Sequence, residues 1–332
     1  MIIAKTPFRM SFFGGGTDMP EFFNKFGGSV ISTSFDKYCY ATLRHLPPFF
    51  DYRSEIAYSK IERVTDAKDL EHPLVKNAMQ YLDIRDIRLT YEADLPARSG
   101  LGTSSSFAVG MLNTFHKLKG KNVSAGQLAD EAIYVERVLC DEAGGWQDQI
   151  AAAYGGFNRI NFADNSYEVI PLNISDARKK ELNDNLMMFF TGFTRNSSLM
   201  QKESKPMSEK ENELKSMLTL VDDAEKILTD SARDLDDFGR LLDITWQLKR
   251  KTGSKVSTSF IDECYEKAIA AGALGGKLLG AGGGGFFIFY VPKDRQEAVA
   301  QSQKELLEIP FEFSDTGSQI IYESEETGYI NY

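Results

Sequence analysis

The chain is poor in several things, and each shortage narrows what it encodes. Of its 332 residues only three are cysteines, Cys39, Cys140 and Cys264. An odd set spaced this widely offers no CxxC pair and no disulfide framework, and it predicts reduced, buried thiols in a cytoplasmic protein. No apolar run approaches the roughly 18 residues that cross a bilayer. The first residues, Met-Ile-Ile-Ala-Lys-Thr-Pro-Phe-Arg, lack the basic-then-apolar order of a secretory signal. Clusters of one positive sign are also missing. Lys and Arg number 38 against 48 Asp and Glu, a net charge of −10, which argues against a nucleic-acid partner but leaves room for a locally positive pocket. No GxxxxGK[ST] occurs, so a Walker A loop is excluded. There is no internal repeat. The chain is expected to be a monomer or homodimer with no membrane partner.

What is present is organised around Pro96-Ala-Arg-Ser-Gly-Leu-Gly-Thr-Ser-Ser-Ser106. Before it, Ile87, Leu89, Tyr91, Ala93 and Leu95 alternate with polar residues, the period of a half-buried strand. After it, Phe107, Met111, Leu112, Phe115 and Leu118 recur at helical spacing. A glycine-broken loop opening a helix presents unpaired N–H groups where the macrodipole favours an anion, and phosphate suits it. A plain serine-capped helix start needs the same residue types.

Three further stretches stand out. Arg9 precedes the turn Gly14-Gly15-Gly16-Thr17-Asp18, which lets backbone approach a ligand closely. Glu136 falls late on a helix expected over 124–140, and Asp148 falls in the first turn of one expected over 146–153, where the dipole favours its charge. Residues 272–285 hold 8 of the 27 glycines, too many for ordinary punctuation. Gly280, Gly282 and Gly285 match GxGxxG, but they run from a helix into the strand Phe286–Val291. A dinucleotide fingerprint requires the reverse order and is rejected.

Other elements are expected in order. A strand over 2–6 is stopped by Pro7, and further strands cover 29–35, 38–45 and 55–60. A helix lies near 74–82 and a hairpin over 157–172 turns at Ala163-Asp-Asn-Ser166. The polar stretch Ser175–Asn185 marks a domain boundary, giving domains 1–182 and 183–332. A strand at 186–191 leads to Gly192-Phe-Thr-Arg195. Helices are expected at 207–231, 235–250, 258–271 and 293–307, with a closing strand pair near Phe311 and Ile320.

Taken together, these motifs resemble the GHMP kinase superfamily. Pro96-x-x-x-Gly-Leu-Gly-Thr-Ser-Ser-Ser is similar to its PxxxGLGSSAA phosphate motif, with Thr103 in place of the first serine. Gly280–Gly285 resembles its C-terminal glycine motif, and Lys5–Arg9 with Gly14–Asp18 its N-terminal substrate motif. The resemblance implies an α+β, two-domain fold, ribosomal-S5-like in the first half and ferredoxin-like in the second. It also implies ATP and Mg²⁺. Pro96, Ser99, Gly100, Leu101, Gly102, Thr103, Ser104 and Ser105, with Gly282 and Gly283, would hold the nucleotide. Ser104 and Glu136 would meet the metal, Asp148 would act as the base, and Arg9 would assist it. Gly15, Gly16, Thr17 and Asp18 would face a sugar. The turn Gly14–Asp18, Gly144-Gly-Trp-Gln-Asp-Gln149 and Thr191–Arg195 look like the branch of D-glycero-D-manno-heptose 7-phosphate kinases and the kinase part of fucokinases. The expected reaction is phosphorylation of an anomeric hydroxyl, with Arg195 the candidate cation for a 7-phosphate and Arg98 and Lys249 behind it. A kinase for an unphosphorylated sugar such as fucose or galactose is the rival. A sensor that kept the fold without catalysis is the remaining class, and intact Arg9, Ser104, Glu136 and Asp148 argue against it.

Overall fold

Two long strands carry the first half of the chain. In the computed structural model, which describes residues 1–192 and 206–324, β1 (Ile2–Phe13) pairs antiparallel with β2 (Gly28–His45) almost end to end. Pro7 does not stop β1 as its missing N–H suggested. It sits where the pairing register shifts between Pro7 and Phe8, one of the few places a sheet tolerates proline. The far edge of β2 is shared out. Its last residues pair with β5 (Ile87–Ala93), and its first with β6 (Phe157–Ala163). Beyond β5 lie β3 (Ser54–Ala57) and β4 (Ile61–Val64), and β6 continues into β7 (Ser166–Pro171). The hairpin turn falls where expected, because Asp164 and Asn165 accept positive φ angles of 49° and 52°.

Helices cover this sheet. They are α1 (Pro20–Phe26), α2 (Pro73–Tyr81), α3 (Thr103–Leu118), α4 (Ala125–Ile133) and α5 (Gln147–Tyr154). The helix expected over 124–140 starts on its Ser124 cap, whose hydroxyl accepts from the Gln127 N–H at 3.1 Å. It does not run on regularly: Tyr134–Leu139 form a π-helical turn, a widening that side-chain periodicity does not reveal. The polar boundary stretch is likewise a helix, α6 (Asp176–Asp184), capped by Ser175. Its buried Arg178 donates to the Ile227 and Arg233 carbonyls, so a charged residue packs inward beside Leu182 and Asn183.

The second sheet is built from β8 (Leu186–Phe190), β9 (Gly275–Leu278), β10 (Phe286–Tyr290) and β11 (Leu307–Glu308), in the order β11-β8-β10-β9 with every pair antiparallel. This fourth-first-third-second order is the split ferredoxin-like arrangement. Between β8 and β9 run α7 (Met207–Thr229), α8 (Asp236–Lys251) and α9 (Ser259–Ala271). After β10 the helix expected over 293–307 is shorter, with α10 (Gln296–Ser302) as its regular part. The closing strands do not pair with each other. β12 (Phe313–Ser314) joins β2 and β13 (Gln319–Glu323) joins β1. The second sheet begins after α6, a helix that the 182/183 division crosses, and the last strands return to the first sheet.

The continuous apolar run of β10 is explained by burial on both faces. Phe286, Ile288 and Tyr290 enter a core shared with the first sheet, while Phe287 and Phe289 pack with Trp246 and Tyr265 on the other side. Phe238 of α8 ties the halves together, its ring 5.3 Å from Phe12, 5.1 Å from Phe13 and 6.3 Å from Tyr290. Cys39 and Cys264 are buried as expected, whereas Cys140 is only partly so. No helix among the described residues is long and apolar enough to cross a membrane. Truncating the fully buried Phe238 to Ala is expected to remove about 3–5 kcal/mol of stability, read as a lowered urea midpoint in equilibrium unfolding.

Candidate active site

The two glycine-rich bends, 180 residues apart in sequence, press directly on each other. A Cβ on Gly280 would lie 2.3 Å from the Gly100 Cα, one on Gly100 would lie 2.4 Å from the Leu279 oxygen, and one on Gly285 would lie 2.2 Å from the Ser99 oxygen. Both Gly100 (φ 85°) and Gly280 (φ 78°) are left-handed as well, so space and backbone both demand glycine. The bends line one cleft together with Asp148, Arg9 and the Gly15–Asp18 turn.

The start of α3 is the floor of that cleft. Its cap residue is Gly102, left-handed at φ 72°, and no side chain caps the helix. The hydroxyls nearby are engaged elsewhere. Thr103 Oγ1 accepts from the Arg98 N–H (3.2 Å), Ser104 and Ser105 donate to Glu136 (3.0 and 2.7 Å), and Ser106 donates to the Pro7 carbonyl (2.8 Å). A serine-capped start is thereby ruled out. The first N–H groups of α3 keep their positive end toward the cleft, the arrangement that receives an anion.

Asp148 stands in the first turn of α5, and Arg9 reaches it from β1. Arg9 Nε and Nη2 both approach Asp148 Oδ1 at 2.8 Å, while Nη1 donates to the Gly100 carbonyl at 2.8 Å. The guanidinium thus fixes the carboxylate and the bend at once. Gly102 completes the contact: a Cβ there would sit 3.3 Å from Arg9 Cγ and 3.5 Å from Asp148 Cγ.

Glu136 is nearly fully buried on the π-helical turn, which aims it at α3. It accepts from Ser104, Ser105 and the Gln149 amide, and this third partner lies one helical step beyond Asp148. Ser104 stays exposed to the cleft. One hydroxyl and one carboxylate at the anion floor suit a hard cation that takes most of its ligands from phosphates and water. No group of three or more His, Cys, Asp or Glu among the described residues makes an all-protein metal site.

The glycine turn divides its labour. Thr17 is fully buried and its hydroxyl is spent inside the protein, donating to Gly14 and Ser29 carbonyls at 2.8 and 3.0 Å. Asp18 accepts from the N–H groups of Gly16 (2.9 Å) and Gln147 (3.2 Å), and Gly145 leaves no room for a side chain against it, since a Cβ would fall 1.9 Å from Oδ2. Burial, then the nearby charge of Asp148, raises the Asp18 pKa above the usual carboxylate range.

Of the residues expected from sequence, Arg9, Gly15, Gly16, Asp18, Gly100, Gly102, Thr103, Ser104, Ser105, Glu136 and Asp148 line the cleft. Pro96 is exposed beside it, and Ser99 and Leu101 are buried behind it, shaping the bend. Gly282 and Gly283 turn toward Val256, whose carbonyl accepts the Gly283 N–H at 3.0 Å, and the cleft is lined by Gly280 and Ala281 instead. Arg195 lies outside the described residues. Ser11, Gln147, Gln149 and Lys277 were not read from the sequence. Lys277 stands inside the 272–285 glycine run, where it is followed by Leu278 and not by the Ser or Thr of a Walker A loop.

Comparison with known proteins places this geometry. Residues 73–156 match the family model of the GHMP kinases N terminal domain, and residues 223–308 match that of the GHMP kinases C terminal. A D-glycero-alpha-D-manno-heptose 7-phosphate kinase of Campylobacter jejuni is 30% identical over 321 residues, covering 92% of this chain and 94% of that protein. A bifunctional fucokinase/GDP-fucose pyrophosphorylase of Arabidopsis thaliana is 25% identical, covering 90% of this chain but 30% of its own length. Among solved structures, a D-glycero-D-manno-heptose 1-phosphate kinase from Bacteroides thetaiotaomicron superposes with a TM-score of 0.79 at 25% identity, covering 98% of this chain and 100% of that one. A putative sugar kinase from Campylobacter jejuni, at 24% identity and a TM-score of 0.75, covers 96% and 98% and shares the fold. With both halves matched and a full-length relative at this identity, the chain belongs to the GHMP kinases, as a sugar kinase that transfers a phosphoryl group to a hydroxyl.

Proposed function

We propose that this kinase uses ATP and Mg²⁺ to phosphorylate the anomeric hydroxyl of D-glycero-D-manno-heptose 7-phosphate, giving the 1,7-bisphosphate. The observation that carries the reading is the Arg9–Asp148 pair beside the uncapped start of α3, with Asp18 across the cleft. The heptose-phosphate relatives point to the sugar. The domains assigned to this work are 1–182, holding the phosphate loop and the acid, and 183–332, holding the second glycine bend.

Phosphoryl transfer asks a protein for position and charge more than for covalent chemistry. The α3 N–H groups receive the nucleotide phosphates. Ser104 and Glu136 would hold Mg²⁺, which neutralises phosphate charge when bound. Asp148 accepts the proton of the attacking sugar hydroxyl, and Arg9 both orients that carboxylate and faces the phosphoryl in flight. Asp18, pinned by two backbone N–H groups, is placed to accept from a sugar hydroxyl. A site that spends a buried carboxylate this way rejects acceptors lacking the hydroxyl.

Two outcomes follow. Replacement Asp148→Asn keeps the size of the side chain but removes the base, and kcat is expected to fall by about 10²–10⁴-fold with the fold intact by circular dichroism. In a panel of sugars offered with ATP and Mg²⁺, ADP release should favour heptose 7-phosphate over fucose, galactose and unphosphorylated heptose by at least about 10²-fold in kcat/KM. Preference for an unphosphorylated sugar would replace this substrate with the fucokinase-like one.

A further inference from the structure

One wall of the cleft carries three polar groups with no part in the roles of Asp148, Arg9, Ser104 and Glu136. Lys277 projects from β9, and its ammonium donates to the carbonyls of Ser11 (2.9 Å) and Phe12 (2.8 Å) on β1. It is only 2% exposed and pairs with no carboxylate among the described residues. Lys249, in the last turn of α8, donates to the Leu278 carbonyl (3.3 Å) and to that of Gly280, again without a carboxylate. An ammonium has three donors, so each lysine retains one beyond its two carbonyls. The third group is the Ser11 hydroxyl, which lines the same cleft in a residue 6% exposed and has no hydrogen-bond partner.

These features call for a ligand. Lys277 is buried and Lys249 partly so, near a third cation, Arg9, already engaged by Asp148. Burial and the neighbouring cations push the Lys277 pKa well below its ordinary value, and an anion in the cleft would restore its charge. A buried hydroxyl without a partner is uncommon in a finished site. Stapling the halves together would explain two donors of each lysine, not the third, and would leave Ser11 Oγ unexplained. An oxyanion with several acceptor oxygens satisfies all three groups at once.

We propose that Lys249, Lys277 and Ser11 form a subsite for a phosphate dianion, beside the Gly15–Asp18 turn and supplied mainly by the second half of the chain. The inference rests on the sugar-phosphate kinase reading and extends it. Two sources carry this chemistry: the phosphate ester of the acceptor sugar, and the phosphoryl group leaving ATP.

Protonation gives the subsite a signature. Burial holds Lys249 at a pKa of about 8, with Arg9 lowering it and Asp18 raising it. The other charged groups lining the cleft are the acids Glu136, Glu142 and Asp148 and the bases Arg98, Arg137, Lys210, Lys255 and Lys277. A dianion beside Lys249 raises its pKa, so the complex holds more protons than the free protein. Binding then takes up protons near pH 8, and affinity falls as pH rises through that value.

The test is calorimetric titration of the full chain and of Lys249→Met, Lys277→Met and Ser11→Ala. The ligands are ATP, ADP, heptose 7-phosphate and unphosphorylated heptose, at pH 8 in two buffers of different ionisation enthalpy. The expected result is proton uptake by the wild type with a phosphate ligand, reduced in Lys249→Met and in Lys277→Met, and affinity reduced about tenfold or more in each variant. Weakening confined to heptose 7-phosphate seats the acceptor's ester there, and weakening of ATP but not ADP seats the transferring phosphoryl. If Lys277→Met does not fold, the other two variants decide. Folded variants that bind all four ligands within about twofold of wild type would overturn the subsite, as would equal weakening of ADP and unphosphorylated heptose. A wild type that ignores heptose 7-phosphate yet keeps a lysine-dependent preference for ATP over ADP would sink the proposed sugar and retain the subsite.

Discussion

The structure depends on backbone meeting backbone where the two glycine bends touch. Gly100 and Gly280 approach so closely that neither tolerates a single methyl group, and this contact decides how the second sheet sits over the first. The start of α3, the Asp148 carboxylate and the Gly15–Asp18 turn fall into one cleft only because that approach is allowed. Arg9 then secures it by bonding the Gly100 carbonyl and the Asp148 carboxylate with one rigid fork.

Around this contact the protein separates charge that would otherwise collapse. Asp148 pairs with Arg9, Glu136 accepts from two hydroxyls and an amide, and Asp18 accepts from two backbone N–H groups. Each carboxylate is held by a different kind of donor, so each meets a different demand. In the proposed reaction one would face an attacking hydroxyl, one a phosphate-bound cation, and one the body of a sugar. Lys249 and Lys277, on the second half's wall of the cleft, are each held by two backbone carbonyls.

Much of this was legible in advance where local chemistry decides structure. The strand before Pro96 and the helix after it, the Asp164-Asn165 hairpin, and the helix starting at Ser124 all follow from side-chain period and turn chemistry. The failures share a cause. Pro7 was read as a stop because the bulge that accommodates it belongs to the pairing with β2. The π-helical turn that aims Glu136 leaves the apolar spacing of its helix unchanged. The closing strands were paired with each other because sequence proximity is a poor guide to sheet neighbours, and they return to β1 and β2 instead.

By itself the sequence determined the kinds of group available: two runs of glycine able to bear left-handed backbone, a hydroxyl-rich helix start, and acids and an arginine at positions that resemble a kinase. These are local properties, set by the covalent chain and its conformational limits. Only the tertiary structure decided which of them act together. It spent Thr17 on internal carbonyls and set the buried Asp18 on the cleft, packed Gly282 and Gly283 against Val256, and brought Lys277 against Ser11 across 266 residues. Packing between distant segments chooses such partners, and no spacing within the chain records it.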